Sequence, residues 1–157
     1  MKTLQLILIF IVRLVSGIIM LQQGFEKLTG NFTLKGLVPV IKDNTDSPVW
    51  YKWFFEHVVA QSTSLFDLVI PLGELAIGLG LLFGVLSYAA SFFGAFVMLN
   101  YILADMIFTY PLQLALFIIL LMHQNTLRQL SLQSVIHYIK SFKNRGENKH
   151  DAHPSRR

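Results

Sequence analysis

The chain has no cysteine. That removes disulfides, thiol nucleophiles, cysteine-ligated zinc and iron–sulfur clusters together, and it leaves the redox compartment unreadable from thiol usage. Any electron chemistry therefore belongs to a bound cofactor or to a partner. Charged residues are scarce, 14% of the chain, where soluble domains carry roughly a quarter, and this excludes the composition of most cytosolic enzymes. The sequence also lacks a glycine-rich phosphate loop, a Gly-x-Ser-x-Gly elbow and a Walker motif. No His-x-x-x-His spacing is present, and no metal site is expected. His57 and His123, the only histidines near the apolar runs, fall on opposite sides of the topology argued below and could not share one haem.

What fills the 157 residues is apolar side chain: 54% of the sequence, with a mean hydropathy of +0.54. Four apolar runs approach or reach the length that crosses a bilayer. The expected fold class is an all-α membrane protein, a four-transmembrane-helix antiparallel bundle, with spans at about 4–22, 65–86, 88–104 and 111–123. The first run, Leu4 to Leu21, is about 27 Å of helix at 1.5 Å per residue. It is read as a span rather than a secretory signal, being long and followed by no Ala-x-Ala-like site.

Residues 23–64 form the expected external loop. Inside it Ser47-Pro48 can start a helix, and Trp50, Tyr51, Trp53, Phe54 and Phe55 crowd around Lys52. Two compatible readings follow, an interfacial aromatic helix and a buried cap over the bundle. Ser64-x-x-Asp67 resembles a capping box opening the second span, Gly84 to Ser87 a tight turn, and Pro111 the first turn of the fourth span. Residues 127–142 place apolar side chains near 3.6 spacing and read as an interfacial amphipathic helix; 143–157 are charged, without aromatics, and read as disordered.

The net charge of +4 does not point to nucleic acid. Seven of the thirteen basic residues (Arg128, Lys140, Lys143, Arg145, Lys149, Arg156 and Arg157) lie in the C-terminal segment, which suits a basic tail against anionic lipid. With Lys2 on the same side, the positive-inside rule predicts a multi-pass protein of the cell membrane with both termini cytoplasmic.

Arg13 is the sharpest chemical signal, because a guanidinium inside a span costs about 2.5–3.5 kcal/mol on insertion scales and wants a partner. Glu74, about ten residues into the second span, is the expected one, forming a candidate buried pair. Asp67, Pro71, Glu74 and Gly78 share one helical stripe. Gly24, Lys27, Asn100 and Asp105 lie at the outer level and are expected to form the mouth of a polar pocket. The pair either lines this pocket or only fixes helix register, and Lys27 with Glu26 could equally snorkel to water. Asp67 suits capping of free N–H groups. Gly73, Gly80 and Gly84 form a separate small-residue face, a packing surface and a possible homo-oligomer contact.

Arg13, then Gly24-Phe25-Glu26-Lys27-Leu28, then Gly73-Glu74-Leu75-Ala76-Ile77-Gly78-Leu79-Gly80-Leu81-Leu82-Phe83-Gly84 together resemble the DoxX/DoxD family of small four-helix bacterial membrane proteins. Leu99-Asn100-Tyr101-Ile102-Leu103-Ala104-Asp105 followed by Tyr110-Pro111 is similar to the DoxD-like branch, with Tyr110 where that branch carries Asn. The resemblance covers roughly residues 4–123. It implies a membrane subunit tied to respiratory redox chemistry, the DoxD-like branch being the small-subunit type of thiosulfate:quinone oxidoreductase. On position it carries over Arg13, Gly24, Lys27, Glu74 and Asn100. Three functions are open: a quinone-linked oxidoreductase subunit with a redox partner protein, a non-catalytic scaffold subunit, and a small transporter. All are set in a lipid bilayer.

Overall fold

The computed structural model describes residues 2–131, and within them all regular structure is helical. Helix α1 runs Lys2–Thr29, α2 Leu37–Asp43, α3 Val49–Phe54, α4 Thr63–Leu82, α5 Ser87–Leu103, α6 Tyr110–Met122 and α7 Gln124–Gln129. A 3₁₀ turn, Leu34–Gly36, precedes α2, and α3 runs on as a π-helical turn, Phe55–Val59. The amphipathic helix expected at 127–142 and the tail at 143–157 lie almost wholly outside the described residues; what is seen of the former is the end of α7.

Two boundaries depart from expectation for physical reasons. α1 does not stop where its apolar run stops. Gln22, Gln23, Glu26 and Lys27 are good helix formers, Gln22 donates to Glu26 across one turn at 2.8 Å, and the helix carries on to Thr29. The loop therefore begins seven residues later than predicted. At the head of α4 the N-cap is Ser62, with no side-chain capping bond, so Ser64 and Asp67 form no capping box. Asp67 instead accepts the Leu34 backbone N–H at 2.7 Å and the Thr33 hydroxyl at 3.1 Å, fastening the 3₁₀ turn to α4.

Helices α1 and α4 pack most closely, and glycine makes the approach. A Cβ on Gly78 would sit 2.9 Å from both the Gly17 carbonyl oxygen and the Leu21 nitrogen, and one on Gly24 would sit 2.8 Å from the Pro71 carbonyl. Gly17 thus lies opposite Gly78 and Gly24 opposite Pro71, which sets the pair antiparallel. α5 and α6 form the second close pair, with Gly94 against the Phe117 ring and the Tyr101 and Tyr110 rings 4.7 Å apart at the other end. One core, built on Met20, Leu81, Met98, Phe117 and Leu120, joins the two pairs. A second, built on Leu34, Ile41, Tyr51, Phe55, Val59 and Ala104, joins the 32–59 segment to the ends of α4 and α5.

α1 and α4 are long and apolar enough to cross a membrane, while α5 and α6 are apolar but shorter, at 17 and 13 residues. The polarity of the molecule is inverted relative to a soluble protein. Leu4, Ile7, Leu8, Leu68, Leu72, Phe92, Phe93, Leu112 and Ile118 are exposed, whereas Arg13, Ser16, Glu74, Ser87, Ser91 and Gln113 are buried. In water such a surface would be an aggregation patch; with hydrocarbon as solvent it is the outer layer.

Candidate functional site

Glu74 is fully buried, on the face that α4 turns toward α1. Its Oε1 accepts from the Lys27 ammonium at 2.6 Å and from the Tyr101 hydroxyl at 2.5 Å. The extension of α1 beyond its apolar run is what delivers Lys27 to this level, and α5 delivers Tyr101. Lys27 Nζ also lies 4.9 Å from the Tyr101 ring centroid and 5.8 Å from that of Phe32, so a cation held in low dielectric is flanked by one carboxylate and two π faces. The second carboxylate oxygen, Glu74 Oε2, is buried with no hydrogen-bond partner among the described residues.

This cluster borders a cavity of about 1110 Å³ enclosed by α4, α5 and the 32–59 segment, whose lining also includes the apolar Leu34, Ile41, Phe55 and Phe66. Lys27, Asn100, Tyr101 and Tyr110 line its polar end. Beyond them the walls are apolar, with Gly73, Ala76, Ile77 and Gly80 on one side and Ala89, Ala90, Phe93 and Val97 on the other. The cavity exists because α4 gives its close contacts to α1 and α5 gives its own to α6, leaving the two helices meeting mainly near their connecting turn. That turn is made by left-handed backbone at Gly84 (φ 69°) and Leu86 (φ 53°). Over the polar end lies the aromatic segment: Tyr51 and Phe55 are buried in it, while Trp50 and Trp53 point outward, 61% and 59% exposed. The Tyr51 hydroxyl donates to the Asn100 carbonyl at 2.9 Å, and burial pushes this phenol well above the usual tyrosine range.

The expected Arg13–Glu74 pair does not form. The α1–α4 register sets Gly24, not Arg13, beside the Pro71–Leu75 turn, so Glu74 is within reach of Lys27, and Arg13 falls near the α4–α5 turn at the other end of the molecule. There Arg13 donates to the Leu130 carbonyl at 2.8 Å and lies 5.2 Å over the Phe10 ring. A cation on the last carbonyls of α7 is favourable for the helix dipole. Asp105 is also not a cavity residue: its positive φ of 61° ends α5, with Met106 N–H bonding Tyr101 O and Asp105 N–H bonding Ile102 O at 2.9 Å each, the pattern of a left-handed helix stop. Its carboxylate accepts from Asn44 at 2.8 Å. Gly24 serves close helix packing rather than the cavity. Gly73 and Gly80 face the α4–α5 cavity and Gly84 is in the turn. Tyr101, Tyr110 and Phe32 were missed as site residues; the signal that could have found Tyr101 is a hydroxyl in the last turn of α5 beside Asn100.

Buried charge inside an apolar exterior defines a small helical membrane protein with an internal polar site. The DoxX family model matches residues 8–110, and the chain belongs to that family. No curated protein and no solved structure matches it significantly.

Proposed function

We propose that the protein is a quinone-linked subunit of a redox complex in the cell membrane, with the quinone head at the Lys27–Glu74–Tyr101 cluster. The observation that carries this reading is that a long apolar cavity has one charged, hydrogen-bonding group in its wall, the pattern an apolar-tailed ligand with a small polar head requires. The donor set fits. An ammonium has three N–H donors, and Glu74 takes one, which leaves Lys27 able to donate to a carbonyl. Glu74 holds the ammonium in place, and Tyr101 fixes the carboxylate. A bound quinone would supply two-electron, two-proton carrier chemistry, and electrons would come from a partner protein because the chain holds no thiol. The DoxD-like small-subunit role is part of this reading, as are four spans with both termini cytoplasmic.

Mass spectrometry of organic extracts from gently purified protein tests it, comparing wild type with Lys27→Gln and Glu74→Gln at matched folded yield. Stoichiometric quinone in the wild type, depleted in the variants, is the expected result. None in any sample overturns it in favour of a scaffold subunit. The topology has its own test, made clean by the missing cysteines: a Ser62→Cys reporter should be labelled from outside intact cells, and Gln124→Cys only after permeabilisation.

A further inference from the structure

Gly73 is in the interior of α4, where glycine is unfavourable relative to alanine. The other glycines on α4's interior faces are explained by close packing: Gly78 by the α1 backbone, and Gly80 by Ala90 and the Val85 carbonyl at 3.2 Å. A Cβ at Gly73 would meet nothing within 4 Å. No contact inside the described protein calls for glycine there. Gly73 lies on the cavity wall, next in sequence to Glu74 and its unpartnered Oε2.

The cavity is closed toward one end and open at the side. Its outer end is covered by the buried Leu34, Ile41, Tyr51 and Phe55 layer. Its flank is rimmed by Val69, Leu79, Phe83, Phe93 and Phe96, each lining the cavity and each exposed on the apolar exterior. Access therefore runs through hydrocarbon rather than water. From Gly73 to Phe83 the slot follows α4 for about 15 Å at 1.5 Å per residue.

We propose that this slot takes a single long hydrocarbon chain of a bilayer-dissolved amphiphile, entering sideways between α4 and α5, with the chain laid against the bare backbone at Gly73 and an acceptor head at Lys27. This rests on the reading of the cavity as the ligand site, but not on the head being a quinone. An acyl amphiphile and an isoprenoid quinone share the chain chemistry.

The test uses the full chain in phosphatidylcholine vesicles containing palmitic acid with a mid-chain diazirine, photolysed and mapped by peptide mass spectrometry. Adducts should concentrate on residues 73–83 and 89–97 relative to the outward residues of α1. Gly73→Phe, which puts a ring into the slot at its bare wall, should lower the groove adducts about tenfold or more, as expected for overpacking a bound chain, while α1 adducts stay constant. Gly73→Ala, the milder variant, should give a partial loss if the Phe variant does not fold. Excess unlabelled palmitate and excess decyl quinone are the two competitors: displacement by either supports the proposal, and their ranking identifies the source. Adducts spread evenly over all outer faces, no response to the Gly73 variants, or no displacement by either competitor would overturn it, as would crosslinks showing that a second copy's helix fills the slot. Saturable labelling without extractable quinone would sink the quinone reading alone; quinone retained by Gly73→Phe would sink this route alone.

Discussion

Helix α4 has two interior faces with opposite solutions. Toward α1 it is sealed: Gly78 and Gly24 let backbones touch, and Glu74 is buried in the seam. Toward α5 it stands off, and Gly73 faces open space. Glycine does both jobs, so a small-residue pattern by itself does not distinguish a closed helix contact from a ligand slot; what a Cβ would meet does. The same contrast holds for two ion pairs with one geometry. Lys27–Glu74 and Lys42–Glu56 are both 2.6 Å long, but the first carboxylate is fully buried and the second pair is open to solvent. Equal distance does not mean equal energy, because desolvation decides what a lost partner costs.

Five substitutions sharpen these contrasts. The largest effect is expected from Lys27→Met, which leaves Glu74 buried with only Tyr101. Removing one member of a buried pair costs about 3–5 kcal/mol, to be read as lost thermal stability in detergent; adding Glu74→Met should restore most of it, and additive losses would show that the two side chains do not act as a pair. Gly78→Ala should cost about 1–3 kcal/mol, since backbone on the facing helix must move. Gly73→Ala, the same chemical change less than two turns away, should instead be neutral or stabilising by about 0.4–1 kcal/mol through the unfolded chain. A loss at both glycines would erase the distinction between the two faces.

The smallest effect belongs to Lys42–Glu56. Lys42 holds the Glu56 carboxyl below its ordinary 4.5, and Glu56 holds the Lys42 ammonium above its ordinary 10.5. The lowered carboxyl value adds stability above its ordinary pKa and loses it as pH falls through the lowered one; the raised lysine value adds stability below 10.5 and loses it as pH rises through the raised one. Glu56→Gln should therefore shift the melting temperature barely at neutral pH and not at all once the pH lies below the lowered carboxyl value. A shift as large as that of Lys27→Met would mean that the exposed pair is shielded.

The order of helices, the turn at Gly84–Ser87, the helix start after Pro48 and Glu74 as a buried charge were legible because each is written locally, in hydropathy period, turn residues or one costly carboxylate. The partner of Glu74 was not. Arg13 and Lys27 are fourteen positions apart on one helix, and only the slide of α1 along α4 selects between them; that slide is set by Gly17, Gly24 and Gly78 meeting backbone, a three-dimensional fit with no linear signature. The assumption that α1 ends with its apolar run put Lys27 in the loop and drew Arg13 toward Glu74. Asp105 looked like a pocket acid because it follows Asn100 at the same level, whereas its backbone conformation makes it a helix stop.

The Arg13–Leu130 hydrogen bond links groups 117 positions apart. During synthesis α1 leaves the ribosome before α4 to α7, and the carbonyl that receives its guanidinium is made only after α6 and α7. Until then an arginine with an insertion cost of about 2.5–3.5 kcal/mol has no acceptor from this end of the chain. This hydrogen bond of α1 is therefore completed late, and until then the helix's retention in the bilayer rests on the leucines and isoleucines around Arg13 and on its closure with α4.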